Sequence, residues 1–487
     1  MRKLLFVFAF VFIFSCSKED DLAIPGTINP DANAEVDVED FMWKAMNFWY
    51  FWQQDVPDLA DDRFENTSQG IADYTAFLSS EDNPGAFFDN KLLFSSDRFS
   101  FYNEDYKVLT QSLSGVSKSN GLEFGLVRFQ DSENIFGYVR FIIQGSDAET
   151  KDIQRGDFFV GVDGQTLNLD NYIELLFGDN NTYTLNMAEF VNDELTANGN
   201  EVSLTKAEAL SENPVFISKS FEINGENIGY LMYNQFTNEY DDELYDAIEG
   251  LKSAGVTNFV IDLRYNPGGS VNTTRLLASM IYGTNTDDLF LRKRYNDKLQ
   301  PQFSKDRLEV YFANKVGSRT INSLNLTKLY VLTSASSASA SELLINSLEP
   351  YMDVIQIGDV TRGKNEFSTT LVDDRDNSYL YNPSRVNQIN PNVQWAIQPL
   401  LGRNENAEGF SDFTAGLTPD VQLKEDLQNL GALGDQNEPL LARAIQEITN
   451  STGKRDFTVK MPANIMSSSK LFGPLSDRMI DDTHYQE

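Results

Sequence analysis

Hydrophobic and polar positions along the chain change texture three times. In FMWKAMNFWYFWQQDV, residues 41–56, Phe41, Ala45, Phe48 and Trp52 recur at helical spacing while Lys44, Asn47 and Gln53 break the apolar run. That spacing predicts an amphipathic helix with a core-facing stripe, opening a helical region over residues 41–108. From about residue 109 to 210, glycine turns separate short apolar runs at 122–129, 135–143 and 158–162, the pattern of a β-rich module. Between 211 and 425 the texture is α/β: buried-strand runs at 228–233, 259–263, 328–333 and 354–358 alternate with helix-like stretches at 241–253 and 341–348. A helix over 439–449 follows, and the rest of 426–487 reads as an irregular acidic tail.

Composition narrows the chemistry. The chain has 487 residues with 73 Asp plus Glu against 39 Lys plus Arg, a formal charge of −34. That is room for about three domains of roughly 150 residues. Such a surface repels a phosphate backbone, so nucleic acid is excluded as a partner. There is one histidine, His484, and one cysteine, Cys16. Histidine-based triads, Cys/His zinc sites and disulfides therefore lack their residues, and no pattern calls for a cofactor or metal. A hydrolase of this composition must use carboxylates, a carboxylate-bound metal, or a nucleophile activated without imidazole.

Arg2 and Lys3 precede an apolar run that ends at Cys16, so residues 1–15 have signal-peptide form. The run Ile13-Phe14-Ser15-Cys16 resembles a bacterial lipobox, which implies lipidation at Cys16. Ser17-Lys18-Glu19-Asp20-Asp21 resembles the acidic export signal of Bacteroidetes lipoproteins, implying attachment to the outer membrane with the protein facing outward. Residues 16–40 then read as a flexible tether, and the membrane is met only through the anchor. Residues 291–320 break the acidic rule with eight Lys or Arg against three acids. They predict a solvated hairpin or a surface that attracts substrate carboxylates.

Two patterns in the β-rich module resemble PDZ domains. Gln154-Arg155-Gly156-Asp157 with Val162-Asp163-Gly164 resembles their strand and turn, and Gly121-Leu122-Glu123-Phe124-Gly125 their carboxylate-binding loop. The resemblance implies peptide contacts at Leu122, Phe124 and Gly125, with the charge of Glu123 opposing a terminal carboxylate.

Residues 334–341 hold five serines in eight positions between an apolar strand and an apolar helix. Small residues there let the backbone turn sharply and set a hydroxyl at a helix N-terminus, where free N–H groups stabilise developing negative charge. Without histidine, the base for such a serine can be a lysine neutralised by burial, and Lys364 follows the strand at 354–358.

The segments Ser337-Ala338-Ser339-Ala340-Ser341-Glu342 and Gly358-Asp359-Val360-Thr361-Arg362-Gly363-Lys364 together resemble the signature of the carboxyl-terminal processing peptidases, or tail-specific proteases. Asp262-Leu263-Arg264-Tyr265-Asn266-Pro267-Gly268-Gly269 and Gly416-Leu417-Thr418-Pro419-Asp420-Val421 resemble two further motifs of that family, in family order. The resemblance implies a multidomain α/β protein: a crotonase-like (ClpP/crotonase) core, an inserted PDZ-like domain and an N-terminal helical subdomain. It implies a serine endopeptidase without cofactor, acting on protein or peptide substrates, with Ser339 as nucleophile, Lys364 as base and Glu342 orienting both. The oxyanion would be held by Ala340 with Gly268 or Gly269. A catalytically inactive peptide-binding surface lipoprotein on the same fold is the alternative, and oligomeric state is left open.

Overall fold

The structure, a computed structural model, describes residues 34–192, 194–451, 455–472 and 476–482. Cys16 with the residues around it, and His484, lie outside the described residues. No helix among the described residues is long and apolar enough to cross a membrane.

Helix α1 (Asp37–Trp49) begins inside the stretch that composition assigns to the tether. Asp40 in its first turn is buried, accepting from Lys44 at 2.8 Å, Tyr74 at 2.9 Å and Arg375 at 3.0 Å. The apolar spacing runs on to Trp52, yet the helix stops at Trp49. Tyr50 takes extended backbone and the Phe51 N–H donates to the Leu400 carbonyl instead. Helix α2 (Ser68–Leu78) follows in the helical region, packing Tyr74 against Trp43, and shorter helical turns continue it to Leu113.

The β-rich module is an antiparallel sheet of β1 (Leu122–Arg128), β2 (Ile135–Ile142), β3 (Phe158–Val162), β4 (Thr182–Val191) and β5 (Glu194–Thr205), in that order. It has its own core around Phe124, Val139, Phe159 and Leu185.

The central sheet follows in the chain as β6 (Val215–Ile223), β7 (Glu226–Tyr233), helix α3 (Asp241–Ser253) and β8 (Asn258–Asp262). Then come the short strand β9 (Gly268–Ser270), α4 (Val271–Ile281), β10 (Leu289–Tyr295), β11 (Lys328–Thr333), α5 (Ala340–Leu348) and β12 (Asp353–Gly358). The chain closes with β13 (Glu366–Ser368), β14 (Leu400–Glu405), β15 (Val421–Gln422), α6 (Pro439–Thr449), β16 (Ser467–Ser468) and β17 (Arg478–Ile480). The sheet order is β6-β7-β8-β11-β12-β15, parallel except at β6. Strand alternation splits it between two cores. Ile228, Tyr230, Val260 and Leu332 pack with Leu440 and Leu441 of α6, while Leu231, Phe259, Ile261 and Val331 pack with the opposite helices.

A second, mixed sheet runs β9-β17-β13-β14-β10 and ends on residues 309–311. Its strand β17 and the edge strand β16, which pairs with β1, come from the tail expected to be irregular. Strands of two and three residues are too short for a period to register in sequence. In the basic segment Lys315–Val316 and Arg319–Thr320 form a short hairpin, and most of the cations find partners within the chain. Lys293 is buried against Asp481, Arg292 and Lys305 bind Glu309, Arg294 binds Glu405, Lys298 binds Asp61, and Arg319 binds Asp242 and Asp246. These six cations pair with the chain's own acids, which accounts for much of the local positive charge without a substrate.

Arg264, 0% exposed, ties the site's turn to the C-terminal helix. It donates to both Asp262 oxygens at 2.9 and 2.7 Å, both Glu438 oxygens at 2.7 and 3.0 Å, and Glu425 at 3.3 Å. Arg155 from the β-rich module reaches the same Glu425 at 2.8 Å, and these cations hold its carboxyl down at about 2 against burial, the largest opposing effect. Replacing Arg264 takes the only ion-pair partner described for buried Asp262 and Glu438 and leaves Glu425 to Arg155 alone. Arg264→Met is expected to lower unfolding free energy by about 3–5 kcal/mol in urea titration at neutral pH. The depressed Glu425 carboxyl means its share of stability is complete above the ordinary carboxyl value and is lost as pH falls from about 5 toward 2.

Candidate active site

The serine-rich loop between β11 and α5 is pinned by its own hydroxyls. Ser334 Oγ donates to the Arg264 carbonyl, Ser337 Oγ to the Leu263 carbonyl at 2.8 Å, and Ser341 Oγ to the Asn266 carbonyl at 3.1 Å. Arg140 of β2 reaches Ser336 Oγ at 3.0 Å and lies over Tyr265, which brings the β-rich module against the loop. Ser339 differs from its neighbours. Its Oγ has no hydrogen-bond partner among the described residues, and its backbone sits at φ 62°, ψ −111°, a region that side chains rarely occupy. Strain of this kind costs about 1–3 kcal/mol and persists only where surroundings enforce it.

The enforcing group is Glu342, 0% exposed in the first turn of α5. Its Oε2 accepts from Ser339 N at 2.7 Å and Lys364 N at 2.9 Å, and its Oε1 from Gly363 N at 2.7 Å and Thr361 Oγ1 at 2.5 Å. Burial pushes the carboxyl up to about 7, while these four donors pull the other way. One side chain thus brings the serine loop and the Gly-Lys loop together. The Gly416–Val421 motif braces the second loop: Leu417 N donates to Thr361 Oγ1 at 2.7 Å, and β15 pairs with β12. Arg98, from the helical region, donates to the Gly363 carbonyl at 2.6 Å.

Lys364 is 0% exposed, and its Nζ, without a hydrogen-bond partner among the described residues, lies 5.3 Å from the Phe99 ring centroid. Desolvation first, then the positive charge of Arg478, lowers its ammonium to about 7. The lowered value makes the neutral amine, with a lone pair able to accept a proton, accessible near neutral pH.

The glycine pair separates into two roles. Gly268, at φ 113°, lies so close to Ser339 that a Cβ there would stand 2.7 Å from Ser339 Cβ and 3.0 Å from its Oγ. Gly269 instead faces the Phe236 carbonyl. The Gly268 N–H donates to Asn266 Oδ1 at 2.9 Å within its own turn. Ala340 is the first residue of α5, whose leading N–H groups lack intrahelical acceptors.

Of the residues expected to bind peptide in the β-rich module, Leu122 and Phe124 are each 2% exposed, and their side chains fill its core. The β1 edge at Gly125 and Leu126 pairs with Ser468 and Ser467. Ser469 Oγ accepts from Phe124 N at 2.9 Å and donates to Glu123 at 2.5 Å. The chain itself occupies that edge. Sequence reasoning missed Thr361, Asn266 and Arg98, and nothing in the tail's sequence marks Arg478 as a neighbour of Lys364. No cluster of three or more His, Cys, Asp or Glu among the described residues could hold a metal ion.

The strain gives a test that needs no substrate. Ser339→Gly and Ser339→Ala both lack the hydroxyl, but only alanine retains the disfavoured conformation. The glycine variant is expected to be the more stable by about 1 kcal/mol or more in denaturant unfolding.

Comparison with known proteins bears on the family and the fold. The model of peptidase family S41 matches residues 227–400, and that of the peptidase S41 N-terminal domain matches residues 37–101. A carboxyl-terminal-processing protease from Picosynechococcus is 26% identical over 271 residues, 54% of this chain and 58% of that protein. The carboxy-terminal processing protease CtpA from Bacillus subtilis is 28% identical over 233 residues, 47% and 44% of the two chains. The chain thus spans about half the length of these curated relatives. The crystal structure of a candidate S41 protease from Bacteroides fragilis superposes with a TM-score of 0.63 at 26% identity, covering 85% of this chain and 97% of that one. Over residues 37–101 and 227–400 both family models, in agreement with the fold, match this chain to peptidase family S41 and its N-terminal domain.

Proposed function

We propose that the protein is a serine endopeptidase that cleaves protein or peptide substrates through a Ser339/Lys364 dyad. One observation carries the reading: a strained serine with an unpartnered hydroxyl and a buried, unpartnered lysine are tied to the same carboxylate, Glu342. In the acylation step Ser339 Oγ attacks the scissile carbonyl carbon while neutral Lys364 takes its proton. The oxyanion forms beside Ala340 N–H and the Gly268 amide, the latter after release from Asn266. Collapse expels the amine, which takes the proton from Lys364. Water, deprotonated by Lys364, then attacks the acyl carbonyl, and the C–Oγ bond breaks as Ser339 Oγ takes that proton back from Lys364. Glu342 is a positioning residue that holds both loops.

The central sheet with its helices is read as the crotonase-like core and the β1–β5 sheet as the PDZ-like insertion, supported by the sequence motifs at 121–125 and 154–164. The leader and Cys16 support a lipid-anchored protein of the outer membrane, facing outward, and C-terminal processing as its mode of action rests on the relatives. The alternative, an inactive peptide-binding lipoprotein, gives no role to a buried lysine whose Nζ has no hydrogen-bond partner among the described residues.

Cleavage of casein or a quenched peptide is expected to fall at least about 1,000-fold in Ser339→Ala and Lys364→Ala, with far-UV circular dichroism unchanged. Lys364→Arg is expected to be equally inactive because guanidinium stays protonated. In the wild type, kcat/KM should rise about tenfold per pH unit below 7 and level off above it, as the lysine loses its proton. Full activity in either alanine variant would overturn the dyad.

A further inference from the structure

Ser339 and Lys364 are both 0% exposed, so no peptide bond reaches them unless something moves. What lies against them is the chain's own strand β17. It runs between β9, which carries Gly268, and β13, which starts two residues after Lys364, and is parallel to both. These two flanking strands are not paired with each other; β17 fills a strand-wide slot between them. The Arg478 carbonyl is the atom nearest a Cβ built on Gly268, at 2.3 Å, on the side facing Ser339. Arg478 reaches toward the helical region, donating to the Phe99 carbonyl at 3.0 Å and stacking 3.6 Å from the Phe101 ring centroid.

The far end of the slot is built for acids. Asp481 is held by the buried Lys293 at 2.8 Å, and its N–H donates to the Ser368 carbonyl at 2.9 Å. Asp482 accepts from Ser270 Oγ at 2.5 Å and from Asn272 N at 3.0 Å, at the start of α4. Lys293 is 1% exposed, so any strand replacing β17 must bring a negative group or leave a buried ammonium unpaired.

We propose that the slot between β9 and β13 is the substrate channel, that it selects extended peptides with a basic side chain followed three and four residues later by acidic ones, and that residues 478–482 hold it as a built-in pseudosubstrate. The basic side chain lies against Phe99 and Phe101, and the acidic pair against Lys293 and against Ser270 with the Asn272 N–H. The inference rests on Ser339 and Lys364 as the reaction centre. A substrate enters by displacing β17 and pairing with the same two strands.

The test uses the full chain carrying Ser339→Ala and a fluorescein-labelled peptide Ser-Asp-Arg-Met-Ile-Asp-Asp, the sequence of residues 476–482. Adding Asp481→Asn and Asp482→Asn to the protein loosens its own strand, and peptide binding by anisotropy is expected to tighten at least about tenfold. A peptide with both aspartates replaced by asparagine should bind that variant at least about tenfold more weakly. Hydrogen exchange on the singly substituted chain, its tail intact, covers the case in which the loosened variant fails to fold. Saturating acidic peptide should speed exchange at residues 479–481, and the asparagine peptide should not. Equal binding of the two peptides, or no change in exchange, would overturn the proposal. Neither readout needs turnover, so their failure sinks the channel assignment alone, whereas cleavage retained in Ser339→Ala sinks the dyad.

Discussion

A single buried carboxylate organises the site. Glu342 receives the backbone N–H groups of Ser339, Gly363 and Lys364 and the hydroxyl of Thr361, so one side chain joins two loops on either side of β12. Backbone amides buried without acceptors are costly, so the carboxylate and the loops hold each other in place. The conformation at Ser339, which the residue would not choose alone, persists because its N–H and the loop's other hydroxyls are already committed. Charge-assisted hydrogen bonds of this kind are stronger than neutral ones, which suits a group that must resist strain.

Dehydration is the second constraint, and it links the site to the rest of the molecule. Lys364 gives up its proton near neutrality because helical region, core and tail together exclude water from its ammonium, with Arg478 adding repulsion. On the proposed mechanism, that burial places the reacting groups where a substrate cannot arrive freely. Reactivity and access are therefore opposed in this fold. The short strand β17, held by Lys293 and by the start of α4, sits where the opposition would be resolved.

Much of this was legible in the chain. The runs at 228–233 and 328–333 and the helix at 241–253 coincide with β7, β11 and α3, because strands buried on both faces and amphipathic helices carry dense local patterns. The serine loop, Glu342 and Lys364 were found as motifs, and the structure brings all of them to one point. What escaped notice depends on contacts distant in sequence. The helix at residue 49 ends because Leu400 captures the next N–H. The basic segment is neutralised by acids as remote as Asp481 and Asp61. The tail becomes two strands only because β1 and the pair β9 and β13 offer unpaired edges. No local period records such partners.

The account stands on a lysine that is neutral near pH 7. Its most direct test is a carbon-13 NMR titration of the Lys364 Cε resonance in the Ser339→Ala protein, assigned by loss of the signal in Ser339→Ala/Lys364→Met. A midpoint near 7 is predicted. A midpoint near the ordinary lysine value of about 10.4 would contradict it, because such an ammonium could not take the proton of Ser339.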